Sequence, residues 1–345
     1  MLVEKNKLKK IIISQDSNIL DVIKNINSSN LKIVLVVDNS KNFIGVINDG
    51  DIRRAFLNGY NVNSSIRNII NKSPIFIKNL LDINNFTSED LREFPFIPII
   101  KNQKITGLFA TNINQKFIKK NNKEFVVIMA GGYGKRLGVL TKNCPKALLT
   151  LNNKPLLQHI LEYVKNNNFS NIIISVFFLK NMIKNFILKK KKFSLKINFL
   201  EEHLPLGTIG SIGLIKSISK NFIVLNCDVI FDINLSELLE FHKKNKSILT
   251  ICVKHLQYKN PYGVIISKKN KFISFKEKPE TNFTINTGIY VFNKKLIPII
   301  KKSNLKNIED LISKLQDKNY KILTYPIFGD WRDFGQDKNK LKRYI

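Results

Sequence analysis

A buried strand that runs into a glycine-rich turn most constrains the fold of this chain. Residues 125–130 are an apolar run typical of a strand buried on both faces of a parallel sheet. Three glycines follow it, at Gly131, Gly132 and Gly134. We expect these glycines to adopt positive φ angles and, lacking Cβ atoms, to let backbone N–H groups approach an anion closely. Arg136 and Lys146 add cations suited to phosphate oxygens, so the segment predicts a phosphate-binding loop.

Spacing separates this interpretation from other glycine-rich loops. A P-loop requires a second glycine where Arg136 stands, which excludes that motif. A dinucleotide-binding fingerprint requires its third glycine at Leu137, whereas Gly138 comes one residue late, so the match is weak. On the loop alone, a strand-to-helix turn with incidental glycines stays open as an alternative.

Further motifs follow in order along the rest of the chain. They comprise residues 129–149, 206–210, 225–228, 275–279, 286–290 and 331–335. In this order they resemble the signature of the sugar-phosphate nucleotidyltransferases. The resemblance covers residues 125–345 and argues against incidental glycines, whereas the first third of the chain needs its own explanation.

Strands and helices are predicted to alternate from residue 125 onward. This alternation predicts an α/β domain with a Rossmann-like, mixed but mainly parallel sheet covered by helices on both faces. Residues 222–228 are expected to form a strand that ends at Asp228, and residues 207–213 to start a helix. Ligands in open α/β sheets bind beyond the carboxyl ends of the strands, so Asp228 and the glycine loop should face one site.

The resemblance implies a reaction between a nucleoside triphosphate and a sugar 1-phosphate. A phosphate oxygen of the sugar attacks the α-phosphorus and pyrophosphate leaves, a transfer that rests on positioning and charge stabilisation. The resemblance implies Mg²⁺ as cofactor, with Asp228 and Asp333 as its ligands, and magnesium prefers one or two carboxylates plus phosphate oxygens. It also implies that Arg136 contacts the triphosphate, Lys146 the phosphates at the reacting centre and Lys278 the sugar phosphate.

The same resemblance implies binding residues for nucleotide and sugar. Those for the nucleotide are Gly131, Gly132, Gly134, Gly207 and Thr208, and those for the sugar hydroxyls are Glu277, Asn286, Thr287 and Gly288. Without the resemblance, Glu277 and Lys278 would be an ordinary exposed charge pair. The chain departs from the family pattern at Lys135, Cys227 and Ile209, which keeps the metal aspartate but leaves the base and the sugar open.

The first part of the chain shows the pattern of a small α+β module. A helix is predicted over residues 19–26, strands over 31–37 and 43–47, and a second helix over 51–57. This order, together with residues 45–54, resembles a CBS module, and a degenerate second copy follows over 66–109. A tandem CBS pair is therefore expected over residues 1–118, with a polar linker at 119–124 before the catalytic domain at 125–345.

In the CBS family an acidic residue holds the ribose of an adenine nucleotide. The resemblance implies this regulatory role for Asp51 in the first copy, whereas the second copy has Ile113 at the corresponding position. Two alternatives therefore stay open: adenine-nucleotide regulation, or a pair that only packs or dimerises.

The charge and the cysteine content of the chain test whether it binds nucleic acid, a membrane or a metal through cysteines. The formal net charge is +31, from 57 Lys and Arg against 26 Asp and Glu, which would suit a nucleic-acid or membrane partner. The lysines are spread along the chain, however, and the one dense cluster at 189–192 suits a solvated helix end, so we expect no specific nucleic-acid partner. The cysteines and histidines lack metal-site spacing, and there is no apolar stretch of membrane-spanning length. We expect a cytoplasmic homo-oligomer with no membrane partner.

The sequence thus predicts a magnesium-dependent sugar-1-phosphate nucleotidyltransferase preceded by a CBS pair. GTP is the favoured donor, by analogy with bacterial enzymes that activate hexose or aminohexose 1-phosphates for surface glycans or flagellin. One alternative is a nucleotide-sensing CBS protein whose transferase domain is inactive. Another, nucleic-acid binding, follows from charge alone.

Overall fold

The computed structural model describes residues 2–29, 31–87, 94–110, 122–189, 195–335 and 341–342. The chain divides into two compact units. The first comprises Met1–Ile118 with Phe328–Asp330, and the second Lys119–Ile327 with Trp331–Ile345. Three features predicted from sequence lie outside the described residues: Ile113, the start of the linker at 119–121 and the lysines at 190–192.

Among its described residues, the first unit contains three α-helices and five strands. They are α1 (Lys5–Lys10), α2 (Ile19–Ser29), α3 (Asp49–Leu57), β1 (Ile12–Ser14), β2 (Ile33–Val37), β3 (Phe43–Asn48), β4 (Phe96–Lys101) and β5 (Lys104–Ala110). β1 pairs in parallel with β2, and β2 pairs antiparallel with β3. β4 and β5 form an antiparallel hairpin. Phe328, from a distant part of the chain, is buried in this unit's core with Ile47 and Ile52.

Asparagine–aspartate capping boxes fix the starts of α2 and α3. Asn18 Oδ1 accepts from the Asp21 N–H at 2.9 Å, and Asn48 Oδ1 accepts from the Asp51 N–H at 2.9 Å. Each aspartate accepts in return from the N–H of its asparagine. Such caps stabilise a helix by about 1 kcal/mol. Because Asn48 is the cap, α3 begins at Asp49, two residues before its predicted start.

The second unit contains five helices and thirteen strands among the residues that the structure describes. The helices are α4 (Leu156–Asn166), α5 (Lys180–Lys189), α6 (Leu235–Lys244), α7 (Leu296–Lys302) and α8 (Ile308–Asp317). The strands are β6 (Asn122–Met129), β7 (Thr150–Leu151), β8 (Lys154–Pro155), β9 (Phe169–Val176), β10 (Lys196–Glu201), β11 (Asn221–Asn226), β12 (Val229–Phe231), β13 (Leu249–Lys259), β14 (Val264–Lys268), β15 (Lys271–Lys276), β16 (Glu280–Asn293), β17 (Ile322–Pro326) and β18 (Trp331–Asp333). Across the described parts of both units, no helix is long and apolar enough to cross a membrane.

Seven strands form the central sheet, in the order β10-β9-β6-β11-β16-β13-β17. The pairs β10–β9, β9–β6, β6–β11 and β13–β17 are parallel, whereas β16 runs antiparallel to both of its neighbours. The predicted mixed, mainly parallel sheet is therefore confirmed.

Helices cover both faces of this sheet, as the alternation along β6 shows. Ile128 packs on one face with Leu161 of α4 and Leu238 of α6. Val127 points to the other face and packs in the same cluster as Leu311 of α8. Burying one such leucine contributes about 1.5–3 kcal/mol to stability. Because apolar contacts cover both faces of the sheet, ligands can reach it only at the ends of its strands.

The prediction that a helix starts within residues 207–213 is wrong. The segment forms a loop and a short 3₁₀ turn, Gly210–Leu214. Gly207 has φ +77° and lies so close to the backbone after α7 that an added Cβ would come within 2.5 Å of the Lys306 carbonyl oxygen. Gly213 packs less tightly against the Lys301 backbone, with an added Cβ 3.3 Å from its Cα. Close packing of glycines, together with their low helix propensity, explains why no α-helix starts here.

Candidate active site

Two short strands bring Asp228 and Asp333 together. Asp228 follows β11 and directly precedes β12, which begins at Val229. β12 pairs antiparallel with β18, and the register places Val229 opposite Asp333. The Phe334 N–H also donates to the Asp228 carbonyl oxygen at 2.9 Å. Both predicted metal-binding aspartates therefore lie beyond the carboxyl end of β11.

Lys146 completes a cluster of three charged groups. Its Nζ forms an ion pair with Asp228 Oδ2, and the two side chains are only 18% and 16% exposed. The Gly335 N–H donates to Asp333 Oδ1 at 2.6 Å. A Cβ added to Gly335 would lie 2.5 Å from Lys146 Nζ, 2.6 Å from Asp228 Oδ2 and 2.8 Å from Asp333 Oδ1. The three groups therefore surround one point, and Gly335, which sequence reasoning did not single out, leaves the space between them.

The two carboxylates suit a divalent cation. Their oxygens are hard donors that converge on one place, and magnesium-type ions take one or two carboxylates and complete their coordination with phosphate oxygens and waters. Within the described part of the chain, no group of three or more His, Cys, Asp and Glu side chains forms a metal site. The ammonium group of Lys146 lies beside the same carboxylates and can balance phosphate charge.

The glycine loop differs from its expected backbone. Only Gly134 has a positive φ, at +65°; Gly131 and Gly132 do not. An added Cβ on Gly134 would lie 2.8 Å from Thr141 and 3.3 Å from Lys146 Cβ, so this glycine lets the loop pack beside the reacting cluster. Nothing described lies within 4 Å of the corresponding point at Gly132, which leaves its backbone open to a ligand.

Arg136 lies on the outside of the same loop. It belongs to the 3₁₀ turn Lys135–Thr141 and is exposed. It makes no ion pair with any residue that the structure describes, so its guanidinium group is available to a phosphate. Its contact with the triphosphate stays a prediction.

Glu202 supports two loops of the site and was not anticipated from sequence. It is 4% exposed, just after β10. Its Oε1 accepts from Ser175 Oγ at 2.7 Å, and its Oε2 accepts from the Leu206 N–H at 3.0 Å. Oε1 also lies 2.6 Å from where a Cβ of Gly131 would be. The carboxylate thus fixes the loop before Gly207 and requires glycine at position 131. The sequence feature that could have revealed Glu202 is a pair of glutamates, Glu201 and Glu202, at the end of a predicted strand.

Residues 286–288 lie in an irregular part of strand β16, beside the carboxyl end of β11. Gly288 has φ +75°, and an added Cβ would lie 2.6 Å from Asn226 Nδ2. Thr287 is buried; its hydroxyl donates to the Cys252 carbonyl oxygen at 2.8 Å, and its own carbonyl accepts from Trp331 Nε1 at 3.0 Å. Thr287 therefore ties β13, β16 and β18 together. Asn286 is the most exposed of these three residues, and its Nδ2 donates to the Tyr290 hydroxyl at 2.8 Å.

Four other predicted site residues make their described contacts with residues outside the charged cluster. Thr208 is exposed, with its hydroxyl 3.5 Å from the Lys306 carbonyl oxygen, and Gly207 packs on the same residue. Glu277 and Lys278 lie in the turn between β15 and β16, 3.7 Å apart between Oε1 and Nζ and more than half exposed. Their roles toward base and sugar stay predictions.

Burial keeps two protonated groups near the site neutral. Burial, with a smaller contribution from Asp228, raises the pKa of the Cys227 thiol to about 12. Burial also raises the pKa of the Tyr290 hydroxyl to about 12. Cys227 is therefore a neutral thiol and not a nucleophile, which agrees with a direct transfer that needs no covalent intermediate.

Asp51, predicted to bind a regulatory nucleotide, has structural partners in the first unit. Its Oδ2 accepts from the Asn48 N–H at 2.8 Å, and its Oδ1 pairs with Arg54. Both oxygens of this carboxylate therefore already have a partner in the first turn of α3.

Glu202→Ala should destabilise the second unit, because the Ser175 hydroxyl and the Leu206 N–H would lose a charged acceptor. We expect the free energy of unfolding to fall by about 3 kcal/mol, as measured by urea denaturation. Glu201→Ala is the matched control on the same strand end. The Glu201 side chain is 38% exposed, against 4% for Glu202, and hydrogen bonds from Lys184 and then Lys180 lower the pKa of Glu201 to about 2. Equal losses in the two variants would contradict the anchoring role of Glu202.

Comparison with known proteins agrees with this geometry. Residues 125–342 match the family model for nucleotidyl transferases, and residues 8–58 match that for the CBS domain. The chain is 34% identical over 223 residues to a mannose-1-phosphate guanylyltransferase catalytic subunit beta of Drosophila melanogaster, covering 62% of this chain and 60% of that protein. It is 34% identical over 224 residues to a mannose-1-phosphate guanyltransferase of Yarrowia lipolytica, covering 62% and 61%.

A solved structure, HddC from Yersinia pseudotuberculosis, is 26% identical, with 61% of this chain and 94% of that chain covered and a TM-score of 0.48. The chain spans about 60% of the length of the two curated relatives. Since the family model matches more than half of its residues, the chain belongs to the nucleotidyl transferase family.

Proposed function

We propose that this protein is a sugar-1-phosphate nucleotidyltransferase. The observation that carries the proposal is the convergence of Lys146, Asp228 and Asp333 on one point beside Gly335. Two carboxylates and a lysine at the carboxyl end of β11, next to a glycine loop, match the charge requirements of nucleotidyl transfer.

In the proposed mechanism the protein positions two phosphate-bearing substrates in line. Asp228 and Asp333 would hold Mg²⁺, which when bound neutralises charge on the phosphate oxygens. The open backbone at Gly132 and the exposed Arg136 would bind the triphosphate. Lys146, now paired with Asp228, would turn its ammonium to the phosphates once the carboxylate charge is otherwise balanced.

The substrates that the relatives' names suggest are GTP and mannose 1-phosphate. GTP is also the donor favoured by the sequence, and a hexose 1-phosphate fits the expected acceptor class. We propose this pair as the first to be tried, with the product serving a glycan precursor route in the cytoplasm.

The first unit is proposed as an accessory domain. The commitment of both Asp51 oxygens to α3 supports a capping role for that residue. Adenine-nucleotide binding and assembly into a homo-oligomer stay predictions for this unit.

The function is tested by measuring pyrophosphate release with each nucleoside triphosphate, Mg²⁺ and a panel of hexose and aminohexose 1-phosphates. We expect release with GTP and mannose 1-phosphate above all other pairs. Release from another pair would correct the substrates alone. If no pair releases pyrophosphate while adenine nucleotides raise the melting temperature, the protein is a nucleotide sensor and the proposal is wrong.

Asp228→Asn and Asp333→Asn should each lower pyrophosphate release by about 100-fold or more, because each removes a charged ligand of the proposed metal. Steady-state rates at saturating Mg²⁺ provide the measurement. Asp317→Asn, an exposed aspartate at the end of α8, is the control and should leave the rate unchanged. A wild-type rate in one of these variants would exclude the substituted residue as a metal ligand.

A further inference from the structure

A cavity lined by lysines lies at the opposite end of the central strands. It has a volume of about 720 Å³, within the usual size range of small-molecule sites. Its lining includes Asn221, the first residue of β11, whereas the candidate active site follows the last residue of that strand. A six-residue strand spans roughly 20 Å, so the cavity and the charged cluster are separate places.

The lining of this cavity is strongly basic. Its charged members are Lys123, Glu124, Lys220, Lys243, Lys246 and Lys295. Glu124 forms an ion pair with Lys243. The other four lysines are exposed and make no ion pair with any residue in the described ranges. Their positive charge is therefore uncompensated around a concave surface, where it attracts anions.

The lysines are not there to cap the end of α6. The carbonyl oxygen of Phe241 accepts from the backbone and side chain of Asn245, at 3.2 and 2.8 Å. The carbonyl oxygen of His242 accepts from the Ser247 N–H at 3.3 Å. These last-turn carbonyls already have donors, so the ammonium groups are left for another partner.

His242 lies in the wall of the cavity and can report on its occupancy. It lines the cavity, is 1% exposed, and its Nδ1 lies 2.9 Å from the Thr250 hydroxyl. Its Nε2 is buried and makes no hydrogen bond to any described residue. Burial, followed by the charge of Lys243, lowers the pKa of His242 to about 4, so the ring is neutral at pH 7. If Thr250 donates to Nδ1, Nε2 carries the proton and is a donor that lacks an acceptor.

We propose that this cavity is a second anion-binding site that takes a small phosphate-bearing molecule, with the ammonium groups of the four unpaired lysines as its donors and the His242 ring in its wall. Flexible ammonium groups suit the several oxygens of a phosphate dianion. A concave, bounded cavity favours a small anion over a nucleic-acid strand, which needs an extended basic surface. The proposal does not depend on the nucleotidyltransferase activity.

The test is an imidazole ¹H–¹⁵N NMR titration of the full chain with inorganic phosphate at pH 7, at constant ionic strength set with sodium chloride. The chain has four histidines, so His242 can be assigned by substituting the other three in turn. We expect phosphate to shift the His242 Nε2–H resonance in a saturable way, and chloride alone to leave it in place. Saturation by phosphate at the active site would not move this resonance.

A double variant identifies the lysines involved. Lys220→Gln with Lys246→Asn should weaken the phosphate effect at least tenfold; asparagine is chosen because residue 246 has φ +50°. Lys268→Gln with Lys271→Gln, on the exposed β14–β15 hairpin, is the matched control and should bind phosphate like the wild type. An unshifted His242, equal affinity in both double variants, or a response to an RNA oligomer but not to phosphate would each overturn the proposal.

Discussion

The pairing of β12 with β18 is the constraint on which the candidate active site depends. It places Asp333 opposite Val229, next to Asp228, although the two aspartates are far apart in the chain. Two partly buried carboxylates repel each other, and the ammonium group of Lys146 offsets that repulsion from a third segment. The hydrogen bond from Gly335 N–H to Asp333 fixes the remaining carboxylate. The charged cluster therefore needs all three segments, because each of them supplies one of its side chains.

The mixed sheet separates the candidate active site from the lysine-lined cavity of the second unit. Parallel strands β9, β6 and β11 end on the side of the glycine loop, and their first residues lie on the side of the lysine-lined cavity. The active-site lysine is paired with a carboxylate, whereas most cavity lysines are unpaired within the described residues. A net charge of +31 thus has at least one local consequence in the fold, even though the lysines are spread along the sequence.

The sequence predicted those features that depend on neighbours along the chain. The apolar run of β6, the mainly parallel sheet and Asp228 at a strand end follow from local pattern and the topology rules for α/β folds. Features set by distant contacts were missed. Gly335 leaves space for the side chains of Lys146, Asp228 and Asp333, which come from three separate segments. Glu202 contacts the glycine loop and the loop at Leu206. Glycine spacing alone could not show that Gly134, and not Gly131 or Gly132, takes the positive φ.

Gly335→Ala tests the central claim most directly, because the added methyl group would enter the space shared by Lys146 Nζ, Asp228 Oδ2 and Asp333 Oδ1. These atoms are tips of side chains that can move aside, so the fold should survive while the geometry of the site is lost. We expect kcat/KM for pyrophosphate release to fall by about 100-fold, with little change in the midpoint of thermal unfolding. A variant with wild-type kcat/KM would contradict the account, because it would show that the point between these three charges takes no part in the reaction.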